Sequence, residues 1–213
     1  MPRPVGLGVR RHSDAELPAL YPLEEQYLGP NAAQQRRTSF ALGRAAARDA
    51  LLELGLEALG IGRGTGGEPL WPDGVVGAIT HSGDLAIAVV GRSADFAGLG
   101  IDVEQQSPGL SARAARLVCT PTESGWVDEV PSSNRRTMLF SAKEAVFKAL
   151  FPIERIWLGF GDAELTWHAE RCVFEARLLK SAGRDHPVGS TLEVTCRLLE
   201  AIVLSTTYSL ARA

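Results

Sequence analysis

Cysteine is scarce in this chain and spaced for nothing but thiols. Cys119, Cys172 and Cys196 are an odd number at wide separation with no CxxC pair, so neither a disulfide framework nor a thiolate zinc site is expected, and a reduced protein is. Long apolar runs are also missing. None approaches the ~20 residues that span a bilayer, and the opening "MPRPVGLGVRRHSD" lacks the continuous apolar stretch of a secretory leader. The expected location is cytoplasmic. Nor does one sign of charge dominate: 22 basic and 25 acidic residues among 213 leave a formal net charge of −3. No general attraction to nucleic acid or to an anionic membrane follows from that balance. Any polyanion must be met by a local cluster, which favours a small ligand over a polymer.

What is present suits a folded chain with a real core, at 45% hydrophobic and 22% charged residues. Residues 31–60 read as the clearest helix, with Phe40, Leu42, Ala46, Ala50, Leu51 and Leu54 at three-to-four spacing and Gly55 or Gly60 to end it. A Gly- and Pro-dense loop, "IGRGTGGEPLWPDG", leads into strands at about 75–80 and 85–90 joined by a tight turn at "HSGD", then a third at 96–104. The order recurs loosely afterwards: helices at about 111–118, 121–130 and 133–150, then strands at about 163–168, 171–179, 191–197 and 201–209. The expected fold is α+β, built of two similar halves (1–105 and 106–213), each a helix on a small, mostly antiparallel sheet. The joint is expected in "EQQSPGLS", 104–111.

Four constellations carry chemistry. In "GLGIDVE", Asp102 and Glu104 are two apart on a strand and share a face. Adjacent acids repel, and a hard divalent cation is the usual remedy; an acidic solvated strand face is the plainer reading. In "FSAKEAVFKAL", Glu144 and Lys148 stand one helical turn apart among apolar neighbours, either as a surface ion pair or as parts of a site. Lys143 adds a second cation about 100° around the helix from Glu144, there to steer a substrate or merely solvated. Upstream, Arg36 and Arg44 fall near one side of their helix, with Arg63 in the Gly-rich loop; guanidinium forks suit phosphate oxygens, although a solvated basic face has the same pattern. "GRGTGG" lacks the lysine and following helix of a phosphate-binding P-loop. Finally, His81 ends an apolar strand in "ITHSGD", but without a GxSxG elbow and with Ser82 adjacent in sequence, a serine hydrolase is a poor reading.

Taken in order, "ITH", "GIDVE" and "FSAKEAVFK", with "RRTSFALGRAAARDAL" and "EPLWPDGVVGAITHS" upstream, resemble the 4′-phosphopantetheinyl transferases over residues 36 to 162 or so. The longer, two-halved type is the match, as in enterobactin and actinobacterial synthesis, rather than the short trimeric holo-carrier-protein synthases. The resemblance implies that coenzyme A donates its phosphopantetheine arm to a serine of an apo acyl or peptidyl carrier protein, releasing 3′,5′-ADP. It implies Mg2+, or Mn2+, on Asp102, Glu104 and Glu144, with Glu144 also taking the serine proton. Lys148 would stabilise the leaving group, while Arg36, Arg44, Arg63 and His81 would hold the 3′-phosphate. Thr80 and Trp157 would line the coenzyme pocket, with Trp157 equally suited to the core. A monomer is implied. Phe140 replaces the Trp that commonly begins the helix motif. For carrier docking the candidates are Arg113, Arg116, Leu117, Val118 and Trp126, of which the last three also read as core. A non-catalytic coenzyme A-binding relative and a metal-dependent phosphohydrolase remain open.

Overall fold

The computed structural model describes residues 3–12, 17–130 and 134–212. The first half runs β1 (Val5–Arg11), α1 (Pro22–Glu25), α2 (Gln34–Glu53), a short ribbon of β2 (Gly62–Arg63) and β3 (Pro69–Leu70), then β4 (Val75–Ser82) and β5 (Leu85–Arg92). Its antiparallel sheet has the order β1-β5-β4, with α2 laid across all three strands. The second half runs β6 (Phe96–Gln105), α3 (Ala112–Val118), α4 (Pro121–Asp128), α5 (Arg135–Glu154), β7 (Ala163–His168), β8 (Val173–Leu178), β9 (Thr191–Leu199) and β10 (Ile202–Leu210). Here the order is β6-β10-β9-β8-β7, and α5 crosses β6, β10 and β9. The fold is α+β in two similar halves, as the pattern of elements suggested. No helix among the described residues is long and apolar enough to cross a membrane.

The likeness of the halves extends to how helix meets sheet. In β1, Gly6 and Gly8 lie so close to α2 that a Cβ on either would run into the carbonyl oxygens of Ala50 and Ala46. In β6, Gly98 and Gly100 stand against the carbonyls of Ala149 and Ala145 in the same way. Each half thus pairs a Gly-x-Gly strand with an alanine-faced helix, and backbones approach where side chains would separate them. Each main helix is also preceded by a capped turn with a buried acid. Glu24 accepts from the Tyr21 N–H at 2.9 Å, and Glu123 from the Thr120 N–H at 2.6 Å.

Gly100→Ala is therefore expected to force β6 off α5 and cost about 1–3 kcal/mol of stability, the usual toll of overpacking. Gly125→Ala serves as the control, because a Cβ at that α4 position meets nothing within 4 Å, and removing a helical glycine contributes up to about 1 kcal/mol. Urea unfolding of both variants gives the two opposite signs.

Several boundaries differ from expectation. Strand β1, unexpected from the sequence, is the outer strand of the first sheet. Helix α2 stops at Glu53, well short of residue 60, because Gly55 turns the chain into the left-handed region at φ 76°. Helix α5 continues past 150 to Glu154; its expected start at 133 lies outside the described residues. Strand β6 precedes the expected joint at 104–111, yet it pairs with β10 in the second sheet. At the meeting of the sheets β4 and β6 lie side by side.

Candidate active site

The seam between β4 and β6, roofed by α5, gathers the candidate acids. A cavity of about 310 Å3 is walled by Thr80 and His81 from β4, Asp102 and Glu104 from β6, and Phe140, Glu144 and Lys148 from α5. Strand alternation puts Asp102 and Glu104 on one side, and the one-turn spacing of Glu144 and Lys148 does the same on the helix. Lys148 makes its ion pair across the seam, Nζ to Asp102 Oδ1 at 2.6 Å, so the surface Glu144–Lys148 pair is not what this helix face provides. Asp102 Oδ1 also accepts from Thr80 Oγ1 at 3.0 Å. Asp102 is only 2% exposed, and its Oδ2 is buried with no hydrogen-bond partner. A bare buried carboxylate oxygen is costly unless something satisfies it.

Neighbouring charges register the crowding. Burial pushes the Glu104 carboxyl up to about 7, with Asp102 and Glu144 adding to the shift and Lys148 and the Ser82 hydroxyl opposing it. Burial likewise raises Glu144, opposed by Lys148 and reinforced by Asp102. The His81 imidazole is held below its usual range by its surroundings and by Lys148, which keeps it neutral. Among the described residues no group of three His, Cys, Asp or Glu side chains forms a ready-made metal cage. The donor chemistry nevertheless fits a hard divalent ion: all three acids offer oxygen, two are strained towards the neutral form, and Asp102 Oδ2 is free.

Further cavities adjoin this one. On the α2 side a cavity of about 490 Å3 is lined by Arg36, Phe40, Arg44, Arg63 and His81. Arg36 and Arg63 are exposed; Arg44 is buried, its guanidinium 4.4 Å from the centre of the Phe40 ring and donating to the Gly62 carbonyl at 3.2 Å. Burial lowers Arg44 to about 10, opposed by Glu24 and reinforced by Arg63, and its Nε has no partner. On the far side of Glu144, a mainly apolar cavity of about 250 Å3 is lined by Phe147, Trp157, Leu158 and Phe160. Trp157 is no core residue: it is 61% exposed, with its ring edge-on to Phe147 at 4.7 Å. Thr80 faces the acids rather than the basic cavity.

Lys143 is neither solvated nor free to steer a substrate. It is 4% exposed, and its three donors go to the Val118 carbonyl at 2.9 Å, Glu123 Oε2 at 2.7 Å and the Phe160 carbonyl at 2.6 Å. Glu123 Oε1 in turn accepts from the Leu165 N–H at 2.8 Å. One buried cation thus ties α3, α4 and β7 to the wall that carries Phe160. Glu123, Ser82 and Phe160 were not anticipated from the sequence. For Glu123 a signal exists in "TPTE", a threonine followed three residues later by glutamate, the pattern of a capping box.

Comparison with known proteins falls on both halves. The model for the 4′-phosphopantetheinyl transferase N-terminal domain matches residues 23–91, and that for the 4′-phosphopantetheinyl transferase superfamily matches residues 98–189. The chain is 39% identical over 170 residues to the 4′-phosphopantetheinyl transferase Svp of Streptomyces mobaraensis, covering 78% of this chain and 68% of that protein. It is 37% identical over 178 residues to PptT, a 4′-phosphopantetheinyl transferase of Mycobacterium tuberculosis, covering 82% and 77%. The chain belongs to the 4′-phosphopantetheinyl transferase superfamily. Enterobactin synthase component D of Escherichia coli is 37% identical over 125 residues, 56% of this chain and 57% of that protein. As a phosphopantetheinyl transferase of the long type, the protein has both halves of the fold in one chain, and the cleft between them holds the acids. Its chemistry is the transfer of a phosphopantetheine group.

Proposed function

We propose that the chain transfers 4′-phosphopantetheine from coenzyme A to a serine of an apo acyl or peptidyl carrier protein, with Mg2+ or Mn2+, releasing 3′,5′-ADP. The observation that carries this reading is the bare, buried Asp102 Oδ2 at the junction of a basic cavity and an apolar one. Arg36, Arg44, Arg63 and neutral His81 bind the 3′-phosphate end of the coenzyme; Arg44 does so with its spare Nε. The arm extends past Glu144 into the cavity of Phe147, Trp157 and Phe160. Asp102, Glu104 and Glu144 would hold the divalent ion, which when bound would neutralise the diphosphate and favour an in-line displacement. Glu144, whose proton affinity burial raises, accepts the proton as the serine Oγ attacks the pantetheine-side phosphorus. Lys148 places its charge beside the leaving 3′,5′-ADP.

Docking of the carrier falls to α3. Arg113, Arg116 and Leu117 are exposed there, Leu117 at 79%, and α3 is joined through Lys143 to the Phe160 wall of the arm cavity. Val118 and Trp126 drop out of that surface: Val118 is core, and Trp126 packs against Trp167 and Phe174. Because one chain supplies every wall of the site, a monomer is the proposed working form.

Incubation with coenzyme A, Mg2+ and an apo carrier protein tests the reading by mass spectrometry of the carrier. A gain of one phosphopantetheine group, abolished by EDTA, is expected. Coenzyme A cleaved equally well without any carrier would make the protein a phosphohydrolase. Tight coenzyme binding with no transfer to fatty-acid, polyketide or peptide carriers would make it a binding module.

A further inference from the structure

The two sheets are separate ladders: β4 hydrogen-bonds to β5, and β6 to β10. Side chains cross the seam instead. Thr80, 4% exposed, donates its hydroxyl to Asp102 Oδ1 at 3.0 Å and accepts from the Val103 N–H at 3.1 Å. Two residues further along both strands comes a longer rung, Ser82 Oγ to Glu104 Oε2 at 3.4 Å. Gln105 Nε2 then closes on the Ser82 carbonyl at 3.3 Å. The intervening His81 lines the basic cavity as well as the acidic one.

With Thr80 and Lys148 both donating to Oδ1, the Asp102 carboxylate cannot rotate without breaking two hydrogen bonds. Its Oδ2 is thereby the oxygen left bare. Hydrogen bonds of this outer kind orient ligating carboxylates and tune what they hold. We propose that Thr80 and Ser82 form a hydroxyl–carboxylate ladder that aims Asp102 and Glu104 into the cavity, making Thr80 a positioning residue for the divalent-ion site. The ladder rests on the reading of Asp102 and Glu104 as ligands. It also keeps the coenzyme-binding half in register with the acidic half, because Thr80 and His81 are consecutive on β4.

The test compares Thr80→Val, which keeps shape and loses the hydroxyl, with Thr80→Ser, which keeps the hydroxyl. The probe is Mn2+, titrated by electron paramagnetic resonance into enzyme saturated with coenzyme A and without carrier protein. Thr80→Val is expected to bind Mn2+ about 10–100-fold more weakly, as loss of an outer-shell partner typically does. Thr80→Ser should stay within a few-fold of the parent, and Ser82→Ala, on the longer rung, should fall between. In turnover assays, raising Mg2+ should recover most of the Thr80→Val rate while the coenzyme KM barely moves, a split that a general loss of structure would not give. Should Thr80→Val not fold, the smaller Thr80→Ala carries the same comparison. Equal Mn2+ affinity for Thr80→Val and the parent overturns the ladder alone. A parent that binds no Mn2+ and transfers the arm in the presence of chelator overturns the metal reading, and the ladder with it.

Discussion

Glu144→Gln is expected to lower turnover by about 10^2–10^4-fold, the range that a positioned general base contributes. On the proposed mechanism, the substitution keeps size and polarity but removes the proton acceptor and one anionic ligand together. Its coenzyme KM should move little, because Arg36 and Arg44 lie in a cavity on the α2 side that Glu144 does not line. Excess Mg2+ distinguishes the two lost roles. Glu104→Gln, which on the same proposal lacks only a ligand, should regain much of its rate as Mg2+ rises, whereas Glu144→Gln should not. Steady-state kinetics across a Mg2+ series reads this directly. If Glu144→Gln is rescued as fully as Glu104→Gln, Glu144 is a ligand and not the base.

The acids of this site were legible in the sequence because strand and helix periodicities are local. Asp102 and Glu104 share a face by the period of two, and Glu144 and Lys148 by one helical turn. Which partner each would meet was not legible, since that depends on how two sheets abut. Lys148 sits in reach of Glu144 on its own helix, yet its ion pair is with Asp102 from the strand beneath. Thr80 looked like a pocket lining and proves to be the hydrogen-bond link across the seam.

The internal repeat was legible but weakly marked. "GLGV" at 6–9 and "GLGI" at 98–101 are the two strand segments pressed against helix carbonyls, and "YPLE" at 21–24 and "TPTE" at 120–123 are the two capped turns. These short matches vanish in overall identity because glycine contacts and caps constrain few positions. Superposing the repeats in sequence puts Arg10 where Asp102 stands and Asp49 where Lys148 stands. In the first half Arg10 Nε donates to Asp49 Oδ2 at 2.6 Å; in the second, Lys148 Nζ donates to Asp102 Oδ1 at 2.6 Å. The same strand–helix ion pair occurs twice with its polarity reversed. Only the second copy places an acid on the strand, beside Glu104 and Glu144. At the first-half positions that match Glu104 and Glu144 stand His12 and Ala45, so no carboxylates gather there.

Lys143 occupies the residue before Glu144, so a catalytic role is tempting; its surroundings argue for the opposite behaviour in a mutant. Lys143→Met would leave Glu123 buried beneath Leu165 and Thr120 with no counter-charge. Removing one member of a buried pair costs about 3–5 kcal/mol, mostly the penalty of the stranded charge. For a chain of this size that amounts to a fall in Tm of roughly 10 °C or more. Lys143→Met with Glu123→Gln should recover a good part of it, because the amide oxygen can still accept from the Leu165 N–H while no charge is stranded. Below its melting range, the single variant should turn over within about ten-fold of the parent, since the ammonium's three donors are spent on Val118, Glu123 and Phe160 and none reaches the acids of the cleft. Differential scanning calorimetry beside turnover at low temperature separates the two roles. A Lys143→Met protein that melts like the parent but has lost activity as severely as Glu144→Gln would move Lys143 from the scaffold into the reaction.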